Sequence, residues 1–267
     1  MSEVLINLVT HSAYKDVCMD FLKLYRNNWK DCPFDFVISV VGEKIEFEGF
    51  HTVYHGKTCQ LPEAVYNVMH NSKYEYCISF LGDAFINKKV DNNDISNLLI
   101  EIKNNGIQYC CLVPRRPFRL IGKKAGSIIR YISSFDVYNM CFVAFIASRN
   151  FIEKEFAGQI SDLEFESEYL RINGDKRFYY KDRVIVTSNI LNLVPGIDAG
   201  KWNRHAYKKL HNDNPDIHFN SRGVASLTTT VKNDLIHVLQ LFISKKQRRI
   251  IKKVMSKIYK MKFMTDY

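Results

Sequence analysis

The sequence predicts an α/β fold: a mixed, mostly parallel sheet flanked by helices, followed by a basic amphipathic helical tail. Three observations predict it. Short apolar runs at 4–9 (VLINLV), 34–41 (FDFVISVV) and 107–113 have the length and composition of strands buried on both faces. Segments with apolar residues three and four apart lie between them, the spacing of crossover helices. From 231 onward, apolar residues at helical spacing sit between Lys/Arg clusters, the mark of a helix with a cationic face.

In order, the run 4–9 is a first strand, ended by the polar Thr10-His11-Ser12, and Val17, Phe21, Leu24 and Tyr25 mark a helix after it. Residues 34–41 form a second strand closed by Gly42. Periodicity fails between 49 and 61, so a loop is expected there, ahead of a helix around 62–70. The stretch 74–91 reads YEYCISFLGDAFINKKVD, an apolar run that stops abruptly at Gly82-Asp83. Asp91 to Asp94 offer N-caps, Ile95, Leu98, Leu99 and Ile102 mark a helical face, and Asn104-Asn105-Gly106 stops it. With the strand at 107–113 this completes a β-α-β unit. Further on, 115–130 reads as a basic loop with a hairpin, 140–147 as a central strand and 162–170 (DLEFESEYL) as an acidic helix. Residues 183–186 read as a strand and 195–200 as a turn leading into GKWNRHAYKKL. The domain boundary is expected at 230/231, with an α/β domain over 1–230 and the helical tail over 231–267.

The composition, 46% hydrophobic and 25% charged over 267 residues, is that of an ordinary globular protein. The seven cysteines are odd in number, scattered and mostly set in apolar segments, with no C-x-x-C and no zinc spacing. They read as buried small hydrophobes in a reducing cytoplasm. The N-terminus lacks the basic and apolar regions of a secretory signal, and no apolar run is long enough to span a bilayer. The net charge of +10 is uneven: from Lys232 to Tyr267 ten Lys/Arg face only Asp234 and Asp266, a net of +8, which leaves +2 on residues 1–231. The basicity belongs to the tail, and no nucleic acid is expected as a partner, since the aromatic residues fall in apolar runs rather than beside basic ones.

Four sets of residues can carry chemistry. Asp83 would stand at the carboxyl end of a buried strand, where α/β sheets bind ligands, and a carboxylate there can hold a divalent cation bridging a diphosphate. In the acidic helix, Glu164 and Glu168 share one face and Asp162 and Glu166 another. One carboxylate facing a cleft could deprotonate a substrate hydroxyl; a solvated charged face is the alternative. Lys201, Arg204, His205 and Arg222 accompany Trp202 and could neutralise charge on a departing diphosphate. Thr10 and His11, at the end of the first strand, could contact a nucleotide. P-loop, dinucleotide, zinc-protease and α/β-hydrolase motifs are absent from the sequence.

Taken together, these motifs resemble bacterial GT-A-type glycosyltransferases of capsular polysaccharide and lipopolysaccharide biosynthesis clusters, over most of residues 4–230. The match is carried by Phe80-Leu81-Gly82-Asp83-Ala84-Phe85 with Val90-Asp91 after it, by Leu163-Glu164-Phe165-Glu166, by Gly200-Lys201-Trp202 and by Ser221-Arg222. The chain departs from the pattern in having Asp83 where the family has an acidic pair or triplet, and Leu163 where a tryptophan is expected. The resemblance implies a GT-A-like, Rossmann-like domain that transfers a sugar from a nucleotide-sugar donor to a hydroxyl of a glycan or lipid-linked glycan. It implies that Asp83 lies beside the donor diphosphate, with Mn2+ or Mg2+ as a cofactor or with a metal-independent route. Glu166, or else Glu164, would be the base; Lys201 and Arg222 would face phosphate, with Thr10 and His11 at the nucleotide. The tail 231–267 is expected to attach to an anionic membrane surface, placing the protein in the cytoplasm on the inner face of the cell membrane. The rivals are a sugar nucleotidyltransferase, whose glycine-rich phosphate loop 10–16 lacks, and a basic nucleic-acid-binding module.

Overall fold

The computed structural model describes residues 3–114, 122–136, 139–158, 160–167, 176–220, 222–231, 234–235, 243 and 245–259. Strand β1 (Val4–His11) leads through a 3-10 turn (Ser12–Tyr14) into helix α1 (Lys15–Asn28). Next come β2 (Asp35–Val41), β3 (His51–Tyr54), α2 (Leu61–His70), β4 (Tyr76–Leu81) and the short β5 (Ala84–Ile86). Helix α3 (Asn92–Asn104) is capped by the Asp91 side chain, which accepts the Asn93 N–H. It ends before Gly106, whose φ of +63° suits a residue without Cβ. Then follow β6 (Tyr109–Cys111), β7 (Ile129–Ser133), β8 (Ala144–Ser148), α4 (Arg149–Glu155), α5 (Asp162–Glu166) and β9 (Tyr179–Val186). The last elements are β10 (Leu193–Pro195), β11 (Ile197–Asp198), β12 (Lys201–Trp202), α6 (Arg204–Asp213) and the cationic α7 (Lys245–Tyr259).

Eight strands form one mixed sheet in the order β3-β2-β1-β4-β8-β6-β9-β7. The neighbours β3-β2, β2-β1, β1-β4 and β6-β9 are parallel, whereas β8 runs against both β4 and β6, and β7 against β9. The architecture is therefore α/β with a mostly parallel sheet flanked by helices. Alternation along β1 divides the interior in two. Ile6 and Leu8 point to the side packed by α1 and α3, with Phe21, Phe80 and Leu98. Leu5 and Val9 point to the side packed by α2 and α4, with Met69, Tyr109 and Phe145.

Two expectations are revised. The stretch read as loop contains β3, an edge strand bonded on one side only, whose half-exposed His-Thr-Val-Tyr carries no apolar alternation. The strands flanking α3 are not neighbours: β8 inserts between β4 and β6. The acidic helix covers Asp162–Glu166, and its expected continuation through 168–170 lies outside the described residues, as do 115–121 of the basic loop, Ser221 and much of the tail. Among the described residues no helix is long and apolar enough to cross a membrane.

Candidate active site

The chain leaves β1 toward β2 and β3 on one side and returns to β4 on the other. The strand order reverses between β1 and β4, and the crevice outside the carboxyl ends of such a pair is where open α/β sheets hold ligands. Thr10 and His11 close β1, and Gly82 and Asp83 follow β4. Gly82 donates its N–H to Val9 O at 3.1 Å, continuing the ladder by one bond. A Cβ on Gly82 would come within 3.2 Å of Thr10 Oγ1, so a small residue lets the two strand ends stay close. Thr10 is buried and bonds through Oγ1 to His11 O, whereas His11 is exposed and uses Nδ1 to accept the Ala13 N–H, capping the 3-10 turn.

Asp83 is half-buried, surrounded by protein yet open on one side. It joins two parts of the chain. Its carbonyl accepts the Gly196 N–H at 2.9 Å, and the Ile197 amide and its own lie near its carboxylate. Burial pushes its pKa up to about 6 against those two donors. The partner segment is the β11–β12 hairpin, closed by Ala199 (φ 48°) and Gly200 (φ 79°), the two positive φ values of a type I′ turn. The hairpin is seated by Trp202, fully buried and stacked on Phe85 with centroids 5.1 Å apart. Gly196 must be glycine for the same reason, since a Cβ there would overlap the Phe85 ring.

Glu166 closes the short α5, whose Phe165 enters an aromatic cluster with Phe142 and Phe156. Its Oε1 accepts the Phe142 N–H at 2.9 Å. Burial is the main force raising its pKa to about 7; the Phe142 N–H opposes the shift, and the charges of Asp162 and Asp83 add to it. The charge of Asp83 is thus among the lesser influences felt at Glu166. The two acids offer a carboxyl that exchanges its proton near neutrality and one that is mostly ionised there.

The other candidates divide. Glu164 is exposed and turned away into a capping box: its Oε2 accepts Ser161 N–H at 3.1 Å while Glu164 N–H donates to Ser161 Oγ at 3.2 Å. The S-x-x-E spacing of Ser161 to Glu164 was the signal for that role. Arg222 reaches the crevice rim, but its guanidinium makes a bidentate bond to Asp16 and further bonds to Ala13 O (2.7 Å) and Gly200 O (3.4 Å). It also lies 4.6 Å from the Tyr14 ring centre. The bond to Asp16 holds the Arg222 pKa above its usual value and the Asp16 pKa below. Lys201, opposite Asp198 in the hairpin, is exposed. Arg204 donates to Ala225 O, and His205 pairs with Asp234. The Phe142 amide that holds Glu166 and the Gly196 amide that holds the Asp83 carbonyl are backbone groups that no side-chain pattern announces.

Among the described residues no three His, Cys, Asp or Glu side chains gather into a metal-binding group. Asp83 alone fits a cation that keeps water and phosphate oxygens as its other ligands, as Mg2+ commonly does. A groove of about 840 Å3 between α2 and β2–β3, lined by Val37, Val53, His55, Asn67 and Tyr74 among others, includes none of these candidates.

No protein-family model matches the sequence, and no curated protein sequence does. Solved structures with similar backbones include a cytidylyltransferase from Leptospira borgpetersenii, at 12% identity and a TM-score of 0.38 over 62% of this chain and 68% of that one. TarS from S. aureus aligns at 10% identity and a TM-score of 0.42, over 69% of this chain and 35% of TarS.

Proposed function

We propose that this chain is a glycosyltransferase that moves a sugar from a nucleotide-sugar donor to an acceptor hydroxyl of a glycan, with Asp83 beside the donor diphosphate and Glu166 as general base. The observation that supports this reading is Asp83 directly after β4 at the reversal of strand order, with Glu166 held on the Phe142 amide, raised to a pKa of about 7 chiefly by burial, and sensing the Asp83 charge. Glu166 takes the proton of the attacking hydroxyl as the new glycosidic bond forms. The bond from the sugar to the phosphate oxygen breaks, and the electron pair leaves with the nucleotide. Its Phe142 N–H bond fixes the carboxylate during that transfer. Lys201 is the exposed cation on the hairpin and serves the leaving phosphate. Arg222 holds the 3-10 turn against the hairpin and keeps its cationic guanidinium at that junction. Thr10 and His11 form the floor on the nucleotide side. A bound Mg2+ or Mn2+ at Asp83 would neutralise charge on the diphosphate; without it that task falls to Lys201 and Arg222. The acceptor is lipid-linked in this reading, and the tail 231–267 attaches to anionic headgroups at about 1 kcal/mol per engaged Lys/Arg, on the cytoplasmic face of the membrane.

A thermal-shift screen of UDP-, GDP-, CMP- and dTDP-sugars, with and without Mn2+, tests it. One donor should raise the midpoint, since ligand at a hundred times its Kd stabilises by about 2.7 kcal/mol. Asp83→Ala should abolish the shift, and Glu166→Gln should keep the shift but lose nucleotide release. If no nucleotide sugar protects the protein, the reading fails.

A further inference from the structure

Residues 227–231 and 234–235 are helical, and on them Leu227, Val231 and Leu235 recur at every fourth position. They are 64%, 58% and 57% exposed. Residues four apart lie on one helical face, so Leu227 and Val231 stand side by side in solvent, and Leu235 of the next described residues is exposed with them. The exposed large apolar residues of the preceding chain, Tyr14, Met19, Tyr54, Ile100 and Leu163 on separate elements and Phe178 just before β9, sit singly, which is ordinary for a surface. A row is different, because its members can enter one apolar phase together.

The row is tied to the candidate active site. Trp202 N–H donates to Gly223 O and Ala225 N–H to Trp202 O, at 3.0 and 2.9 Å, and Arg204 Nε donates to Ala225 O at 3.2 Å. Ser226 then accepts the Thr229 N–H on its Oγ, starting the helical segment, and Asp234 pairs with His205 of α6 at 3.1 Å. Trp202 belongs to the hairpin that follows Gly196, whose N–H bonds Asp83 O at 2.9 Å. Farther along, α7 carries seven Lys/Arg and no acid, and exposes Ile250, Ile251 and Val254 on one face. A second copy presenting the same cationic helix would be repelled, whereas anionic headgroups above an acyl layer satisfy both the charge and the apolar row.

We propose that Leu227, Val231 and Leu235 insert into an anionic lipid surface, with α7 held by its headgroups, so that the hairpin carrying the partner of Asp83 is fixed beside the bilayer and the acceptor hydroxyl is taken from a lipid-borne molecule. The acceptor part rests on the proposed glycosyl transfer; the insertion does not.

Flotation of the full chain with phosphatidylcholine vesicles, with and without phosphatidylglycerol, tests it. The wild type should float with the anionic vesicles. L227S/V231S/L235S should float about tenfold less, because three apolar side chains no longer leave water. K246E/R249E/K253E should lose the preference for phosphatidylglycerol. Both variants should keep the wild-type thermal shift with the donor. Leu235→Trp gives a second readout: the native Trp29 and Trp202 are 1% and 0% exposed, so a blue shift of emission on adding vesicles reports insertion at 235. Unchanged flotation of the serine variant overturns the proposal, as does a wild-type dimer in sedimentation velocity that this variant converts to monomer. Flotation as expected with no donor shift would leave the insertion standing and remove the transferase reading.

Discussion

Burial, together with the charges of Asp162 and Asp83, holds the proton on Glu166. Glu166→Gln preserves the amide-to-Oε1 bond from Phe142 and removes the basicity. Its transfer rate should fall about 10² to 10⁴-fold. In the wild type, kcat/KM should climb with pH up to about 7 and then level. The same group predicts a stability change. Its folded pKa lies above the unfolded value, so the native state binds more protons between them, and its contribution to stability is present below pH 4.5 and lost as pH rises through about 7. Glu166→Gln should therefore raise the melting temperature at pH 8 more than at pH 5, measured by calorimetry. Equal shifts at both pH values would show that the carboxylate carries no such strain. Asp83 was legible because an apolar run stopped abruptly beside a glycine. Glu166 came ahead of Glu164 only through the resemblance; that its carboxylate meets the Phe142 amide, a contact across 24 residues, is not legible locally.

At the scale of elements, the crevice is built by segments that grip one another through polar anchors. Helix α1 holds the 218–222 segment through Asp16 on Arg222, Asp20 on the Asn220 amide and side chain, and Lys23 on His218 O. The hairpin β11–β12 is held from the other side by Phe85 against Trp202 and by Asp83. Gly196→Ala should push the hairpin off Phe85 at a cost of about 1–3 kcal/mol, the usual penalty for overfilling a packed site. It should also weaken donor protection more than Gly223→Ala, where a Cβ meets nothing within 4 Å; chemical denaturation and the thermal-shift assay read the two effects. The sequence showed Gly200-Lys201-Trp202 as a unit but not what the tryptophan rests on. It also left β3 unread, because an edge strand needs apolar residues on neither face to stay paired. Parallel strands β1, β2 and β4 were visible because both of their faces are covered and nearly every residue is apolar.

Across the whole molecule, the α/β class followed from alternating runs and helices, whereas the strand order did not. Nothing local in residues 144–148 says that they slip between β4 and β6. That placement is set by fit to two strands already apolar on both sides, a property of the assembled sheet. It has a consequence for how the chain acquires its structure. Strands β1 and β2 are close in sequence and can pair early, but β4 keeps an open edge until residues 144–148 arrive from more than 60 positions away, and loop closure over such separations slows folding. During refolding followed by pulsed hydrogen exchange, the β2 amides should be protected before those of Leu81 and Leu112, which bond to Val143 O and Ala144 O. Simultaneous protection would contradict this order. During synthesis, a ribosome that has released only the first half of the chain exposes a bare, apolar strand edge. The interval before β8 emerges is when this protein is most open to pairing with a neighbouring nascent chain and most dependent on chaperones.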